Sequence, residues 1–363
     1  MVNLDLLILE DSDNDFTKIH QVSIEVFNGK GKSINYNVHR AKTIVEATRL
    51  LQSNLSFVGA IVDLKLANEV ADEGRGNELI GEIFERYRIP IFVYSKNLTL
   101  LEEDYKTSNN QFLKLYQKAD KPFLDILNEI ERLYSTGIID ILGKKGILDE
   151  FLNDIFWSHI SENMQYWIDS PDKQSLARYI LSHVYEKLEI NESGDFEYYH
   201  TPEVYIKPPI RENIHTGDIF EIETEKYLVI TPACDIEIKY TPQGKPFRKA
   251  SKLSLLKLNE FDANIYCRNR KDKVERNKVK DILSNNLYRY QYLPPYLNEK
   301  GYILDFEEVL NLDLDVDTKL ERIASISQIF LKNIISRFSQ YYSRFGQPVF
   351  RNTEELIEKL IEP

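Results

Sequence analysis

The sequence predicts an α/β domain on a five-stranded parallel sheet over its first third, followed by an α+β region. Two observations carry the first part. Through residues 1–135, strand-like apolar runs alternate with helix-patterned segments, the order that builds βα units around a parallel sheet. The runs also end in polar side chains. Leu4–Leu9 (LDLLIL) runs into Glu10 and Asp11, Val58–Val62 (VGAIV) into Asp63, and Ile89–Tyr94 (IPIFVY) into Ser95, while Phe112–Tyr116 (FLKLY) leads to Lys118. Buried parallel strands deliver side chains to one rim in this way, and the carboxyl rim of an open α/β sheet is where ligands bind.

The elements follow in order. Asp13–Phe27 and Ile44–Ser53 read as the first helices, with Ile34–Val38 as the second strand between them. Asn77–Arg88 (NELIGEIFERYR) has apolar residues at helical spacing, and Pro90 marks re-entry into a strand. Phe123–Tyr134 (FLDILNEIERLY) is the closing amphipathic helix, with Pro122 suited to its first turn. Gly137–Gly146 reads as a junction. Residues 147–190 are helical in pattern, with Ile147, Leu148, Phe151, Leu152, Ile155 and Phe156 on one apolar face and a second helix over Gln174–Leu188. From Glu197 to Leu258 the pattern turns to short strands, including Tyr227–Thr231 and Leu253–Leu258, and Lys319–Arg344 returns to helix. The expected boundaries are 1–136, a helical connector at 137–190, and a C-terminal domain at 191–363.

Bulk properties narrow the function classes. The chain has 363 residues, 42% hydrophobic and 29% charged, in the range of globular proteins and long enough for two or three domains. No apolar stretch approaches the roughly 20 residues needed to span a bilayer, so no membrane partner is expected. From the strand-like start no signal peptide is expected. Cys234 and Cys267 are the only cysteines and lack metal-ligand spacing, which points to a reducing cytoplasm. A net charge of -12 argues against coating nucleic acid, although a local basic patch could still contact it.

The rim residues suit phosphoryl chemistry. Glu10 and Asp11 offer hard oxygen ligands for Mg²⁺, and Asp63 adds a third carboxylate and a nucleophile that would give an acyl phosphate. Lys118 would offset charge on the transferring oxygens, and Ser95 would donate a hydrogen bond to one of them.

On the pieces LILEDSDND, AIVDLKL, GRGNELI, FVYSKN and YQKADKPF, residues 1–135 resemble the receiver domain of two-component response regulators. The resemblance implies a flavodoxin-like sheet and phosphoryl transfer from a cognate histidine kinase to Asp63. It also implies metal ligation by Glu10, Asp11, Asp63 and the Lys65 backbone carbonyl. Ser95 would be the switch hydroxyl, Lys118 the phosphate-binding lysine and Tyr116 the rotating aromatic. Lys121-Pro122 matches the family's lysine–proline step by dipeptide, whereas spacing from Ser95 favours Lys118. A homodimer through this domain is a further partner such domains allow. A polar insertion (ANEVADEGRGN) sits beside the phosphosite, and a degenerate receiver that binds a partner without phosphorylation is the narrower alternative.

The C-terminal region carries weaker signals. Gly217–Glu237 (GDIFEIETEKYLVITPACDIE) suggests a small bent β-sheet, and it looks similar to the SH3-like barrel of endoribonuclease toxins. That likeness would bring Thr231, Cys234 and Asp235 to one rim, with His200 and His215 as candidate bases. Cys234 reads more simply as filler, and Asp235 and Glu237 would share one side of a strand. The basic run Arg268–Lys280 (RNRKDKVERNKVK), with Tyr266 and Tyr288 nearby for stacking, could contact phosphates. It reads more simply as a solvated connector compensated by Asp272 and Glu275. Asp305 with Arg337 and Arg344 would form an ion-paired clamp or an anion site. The tyrosine-rich ensemble resembles receiver-linked effectors of bacterial conflict and phage-defence loci. The leading expectation is a phosphorelay regulator. A gated nuclease or nucleotide-acting effector and a protein-binding module are the alternatives.

Overall fold

Every residue of β3 (Phe57–Val62) is buried because the strand is the middle of a five-stranded sheet with helices over both faces. In the computed structural model, which describes residues 2–66, 75–106, 110–189, 199–269, 271–315, 320–344 and 352–361, the sheet order is β2-β1-β3-β4-β5. The other strands are β1 (Val2–Leu9), β2 (Ile34–Ala41), β4 (Ile91–Ser95) and β5 (Leu113–Gln117), and all pairs are parallel. This is the flavodoxin-like order, whose chain reversal between β1 and β3 opens a crevice at the carboxyl ends of the strands.

Alternation along the strands divides the core into two layers. Leu7, Leu9, Val62 and Val93 pack with Leu51, Leu79, Ile80 and Ile83 of helices Ile44–Gln52 and Gly76–Arg86. Leu6, Ile8, Phe92 and Tyr94 pack with Phe27 of helix Val22–Asn28 and with Ile126, Leu127 and Ile130 of helix Phe123–Tyr134. The β1–β3 register slips by one residue opposite Asp5 and Leu6, and Gly59 lies at the slip. Most of the polar insertion (residues 67–74) lies outside the described residues.

Contacts divide the chain into two units, Met1–Glu197 and Tyr198–Pro363, so the expected helical connector groups with the sheet that precedes it. In that connector Ile155, Ile160 and Val184 form a small core. The predicted apolar face is only partly covered, with Ile147, Leu152 and Phe156 exposed.

The second unit holds a seven-stranded sheet ordered β12-β13-β11-β8-β7-β14-β6, in which every pair is antiparallel. Its strands are β6 (Tyr205–Ile206), β7 (Asp218–Ile222), β8 (Glu225–Val229), β11 (Lys252–Glu260), β12 (Tyr290–Leu293), β13 (Tyr302–Asp313) and β14 (Arg322–Ile326). A separate ribbon pairs β9 (Lys239–Tyr240) with β10 (Pro246–Phe247). Of the sheet and barrel forms expected here, this is the sheet, with β12 and β6 as its edges among the described residues.

Two sequence readings change. The start of the Lys319–Arg344 segment is strand, because Ile326 donates its N–H to Gly217 O (2.8 Å) and Ser325 pairs with Ile206. Sheet pairing overrides the helical pattern there, and the helix runs Gln328–Ser343. Asp235 lies in the helical turn Ala233–Ile236, with Glu237 capping it, so the two do not alternate on a strand.

Candidate functional site

Register alone gathers the rim residues. Leu9 is paired with Ala41 on one side and Val62 on the other, so Glu10 and Asp63 leave adjacent strands at the same level. Asp63 N donates to Leu9 O (3.1 Å) and Glu10 N to Ala41 O (3.0 Å), which extends the ladder by one step. Val62 is paired with Val93, and Ser95 with Gln117; the next residue, Lys118, donates its N–H to Ser95 O (3.0 Å). Gly76 starts the helix after β3, and a Cβ there would meet Asp63 O at 2.6 Å and Leu64 Cα at 2.8 Å. Only glycine permits that approach.

Both carboxylate oxygens of Asp63 have donors. Ser95 Oγ donates to Oδ1 (2.6 Å), as does Lys65 N (3.2 Å), and Lys118 Nζ donates to Oδ2 (2.7 Å). The same ammonium reaches Glu10 Oε2 (2.5 Å) and Asp15 Oδ2 (3.2 Å), so one buried cation holds three acids. Asp15 also pairs with Lys96 at 2.8 Å. Arg40 donates to the backbone carbonyls of Glu10 (2.8 Å) and Asp11 (3.0 Å), fixing the path of the acidic loop.

Burial disfavours charge on each group, and the partners reverse that penalty. Burial raises the Glu10 carboxyl, but hydrogen bonds to His20 and Lys118 outweigh it and hold Glu10 below the usual range. Burial lowers the Lys118 ammonium, but Asp63 and Glu10 push it well above its ordinary value. His20 goes the other way: burial depresses its imidazole and Glu10 only partly offsets this.

Asp15, His20, Arg40 and Lys96 were not anticipated. His20 is buried 3.3 Å from Glu10 Oε2, with its ring edge-on to Phe123 at 4.4 Å between centroids. A π-helical turn, Phe16–Gln21, interrupts the first helix and turns His20 inward, and such turns cluster at functional sites. The legible signal was the fourth acid of EDSDND, Asp15, in the first turn of that helix.

The lysine alternatives separate. Lys118 is inside the site, while Lys121 pairs with Glu129 (2.9 Å) and lies over the Tyr116 ring at 5.0 Å. Tyr116 is partly buried and donates to Glu129. Lys65 meets Asp63 through its N–H. The oxygens of Glu10, Asp11 and Asp63 suit a hard divalent cation in their chemistry. Among the described residues, however, no three acidic, histidine or cysteine side chains converge as a metal-binding group. Lys118 Nζ lies between Glu10 and Asp63, so an ion held by those oxygens would share them with it.

The C-terminal candidates are dispersed into structural roles. Thr231 Oγ1 accepts from Ser254 N (2.6 Å), joining two strands. Cys234 is exposed beside Asp235, with Sγ 3.6 Å from Oδ1. The candidate bases serve elsewhere: His215 Nδ1 lies against Thr216 O (3.0 Å), and His200 caps the turn Thr201–Val204. Asp305 forms its two-pronged bond with Arg289 (2.7 and 2.5 Å) rather than with Arg337 or Arg344. Arg337 holds the carbonyls of Leu287 (2.8 Å) and Tyr290 (2.9 Å), and Arg344 caps its helix over the Tyr341 ring at 4.4 Å. The expected clamp therefore uses a residue 16 positions before Asp305, on the adjacent strand side.

No protein-family model matches the sequence, and no curated protein matches it. Solved structures similar to the N-terminal part include the N-terminal domain of a response regulator/sensory box/GGDEF protein from Carboxydothermus hydrogenoformans. It is 18% identical, with a TM-score of 0.28, over 37% of this chain and 98% of that one. A response regulator receiver domain (CheY-like) from Methylobacillus flagellatus is 15% identical, with a TM-score of 0.25, over 35% and 98%. The Mn²⁺-bound form of response regulator Rcp1 is 20% identical, with a TM-score of 0.25, over 36% and 92%.

Proposed function

We propose that Asp63 is a phosphoryl acceptor and that its modification controls the second unit, making the chain a response regulator fed by a histidine kinase. One observation carries the reading. Asp63 sits on the carboxyl rim of a flavodoxin-like sheet with a hydroxyl on one oxygen and a buried ammonium on the other. In the transfer, the N–P bond of a phosphohistidine breaks as a bond from an Asp63 oxygen to phosphorus forms, and the histidine nitrogen keeps the electron pair. Lys118 and Ser95 then serve the new phosphoryl oxygens in place of the carboxylate. Glu10, Asp11, Asp63 and the Lys65 carbonyl would hold a divalent cation such as Mg²⁺, which offsets charge on the transferring group.

The modified rim carries about -1.5 to -2 charge. Ser95 is drawn toward it, and the loop after β4 follows because Asn77 already ties Leu100 O and Glu102 N to the helix after Asp63. Incubation with acetyl phosphate and Mg²⁺, read by intact mass, tests the proposal. Labelling of the native chain and none of Asp63→Asn is the expected result; equal labelling removes Asp63 as acceptor.

A second reading is a phosphorylation-independent binding module. It is favoured by Lys118, which already satisfies Glu10 and Asp63 and takes the charge-balancing place of a cation. The same assay separates the two, since this reading expects no labelling.

A further inference from the structure

We propose that the second unit binds single-stranded nucleic acid in a basic groove between the helical turn Ala263–Tyr266 and helix Lys273–Leu283. The groove has a volume of about 1190 Å³, and Lys271, Lys273, Arg276, Lys280 and Asn277 line it. Lys273, Arg276 and Lys280 stand at i, i+3 and i+7, so they share one helix face along about 10 Å of axis.

The acids expected to neutralise this run are committed elsewhere. Asp272 caps the helix through the N–H groups of Val274 (2.8 Å) and Glu275 (3.3 Å), and Glu275 accepts from Asn269 N (2.8 Å). Among the described residues, none of the four groove cations has an ion-pair partner within 4.0 Å. Nearby cations of the same unit do have one: Lys257 with Glu225, Arg289 with Asp305 and Glu307, and Lys300 with Glu260. Four exposed, unpaired cations side by side repel one another, and a polyanion relieves that cost.

The shape and the remaining lining favour a strand of nucleotides. A concave cleft admits a strand, whereas a duplex is read by elements that protrude into its grooves. Val279 and Leu283 place apolar surface among the cations, suited to base faces, and Asn277 offers an amide to base edges. The -12 charge of the whole chain disfavours contact spread over the surface as a whole.

Fluorescence anisotropy of the full chain with labelled single strands of RNA and DNA, each of about twelve nucleotides, is the test. The expected result is binding that weakens between about 50 and 200 mM salt with a log–log slope near -2 to -3, about 0.7 per phosphate neutralised. The RNA and DNA arms show which sugar the groove prefers. Lys273→Ala/Arg276→Ala/Lys280→Ala lowers affinity by more than about tenfold and flattens the slope by about 2. These side chains are exposed, so the melting temperature stays that of the native chain. The proposal is overturned if the native chain binds neither strand at about 50 mM salt. Unchanged binding by the triple variant also overturns it. So does tighter binding to the duplex, or to phosphatidylserine vesicles, than to either single strand.

Discussion

Ser95 Oγ donates a 2.6 Å hydrogen bond to Asp63 Oδ1, joining the ends of two neighbouring strands through buried side chains. The bond makes β4 report on the chemical state of β3. Were Asp63 phosphorylated as proposed, the hydroxyl would need a new acceptor and the backbone that carries it would move. Asn97 N lies 3.5 Å from Ser95 Oγ and would pass that shift into the next loop.

Ser95→Ala is therefore expected to keep labelling at Asp63 and lose the response to it. Hydrogen–deuterium exchange with and without acetyl phosphate would check this. The native chain should change protection across residues 95–106, while the variant changes less. A full response in the variant would remove Ser95 from the switch.

Lys118 is the group whose loss should matter most for folding. Removing it leaves the buried carboxylates of Glu10 and Asp63 facing each other without their cation. Breaking a buried pair from one side costs about 3–5 kcal/mol, so urea midpoints for Lys118→Met should fall by that order. Lys118→Met/Asp63→Asn should recover part of the loss, because it removes one of the stranded charges. Equal midpoints for the single and double variants would contradict the electrostatic account.

Gly76 links packing to the site. An added Cβ at 2.6 Å from Asp63 O, a backbone atom, must push the helix and the rim apart. Gly76→Ala should cost about 1–3 kcal/mol as overpacking, and it should slow acetyl-phosphate labelling. Gly31→Ala is the contrast: its φ of +66° is strained for alanine, but nothing lies within 4 Å of the new Cβ. It should lower stability and leave the labelling rate unchanged.

Those rim residues were legible because short apolar runs end where the sheet ends, and parallel pairing brings such ends together whatever the loops do. Lys118 was legible by spacing, since one residue past Ser95's partner Gln117 is enough to place it. His20 was not. A regular helix from Asp13 does not put it on the face of Glu10, and the π turn that does leaves no pattern in the residues. Asp305 was legible as half of an ion pair, but its partner, 16 positions earlier, is set by β12–β13 pairing, which the residue pattern does not announce. The strand at Arg322–Ile326 was hidden for the same reason: its partners are Gly217, Asp218 and Ile206.

Asp218, on β7, yields a prediction about pH. Burial raises its carboxyl above the ordinary range; the His215 N–H at 2.7 Å and Arg322 at 3.4 Å only partly counter this. A carboxyl raised on folding binds its proton more tightly in the native state than in the unfolded one. Its contribution to stability is therefore fully present below the unfolded value near 3.8 and is lost as pH rises through the raised native value. Other carboxylates act oppositely: Glu10 is held low by its partners and contributes above its unfolded value. The Asp218 contribution is best read as a difference. Stability of the native chain minus that of Asp218→Asn should grow as pH is lowered from neutrality toward 3.8. Urea unfolding of both proteins across that range would measure it. A difference that is flat, or that shrinks on acidification, would show that Arg322 and His215 already hold the carboxylate charged.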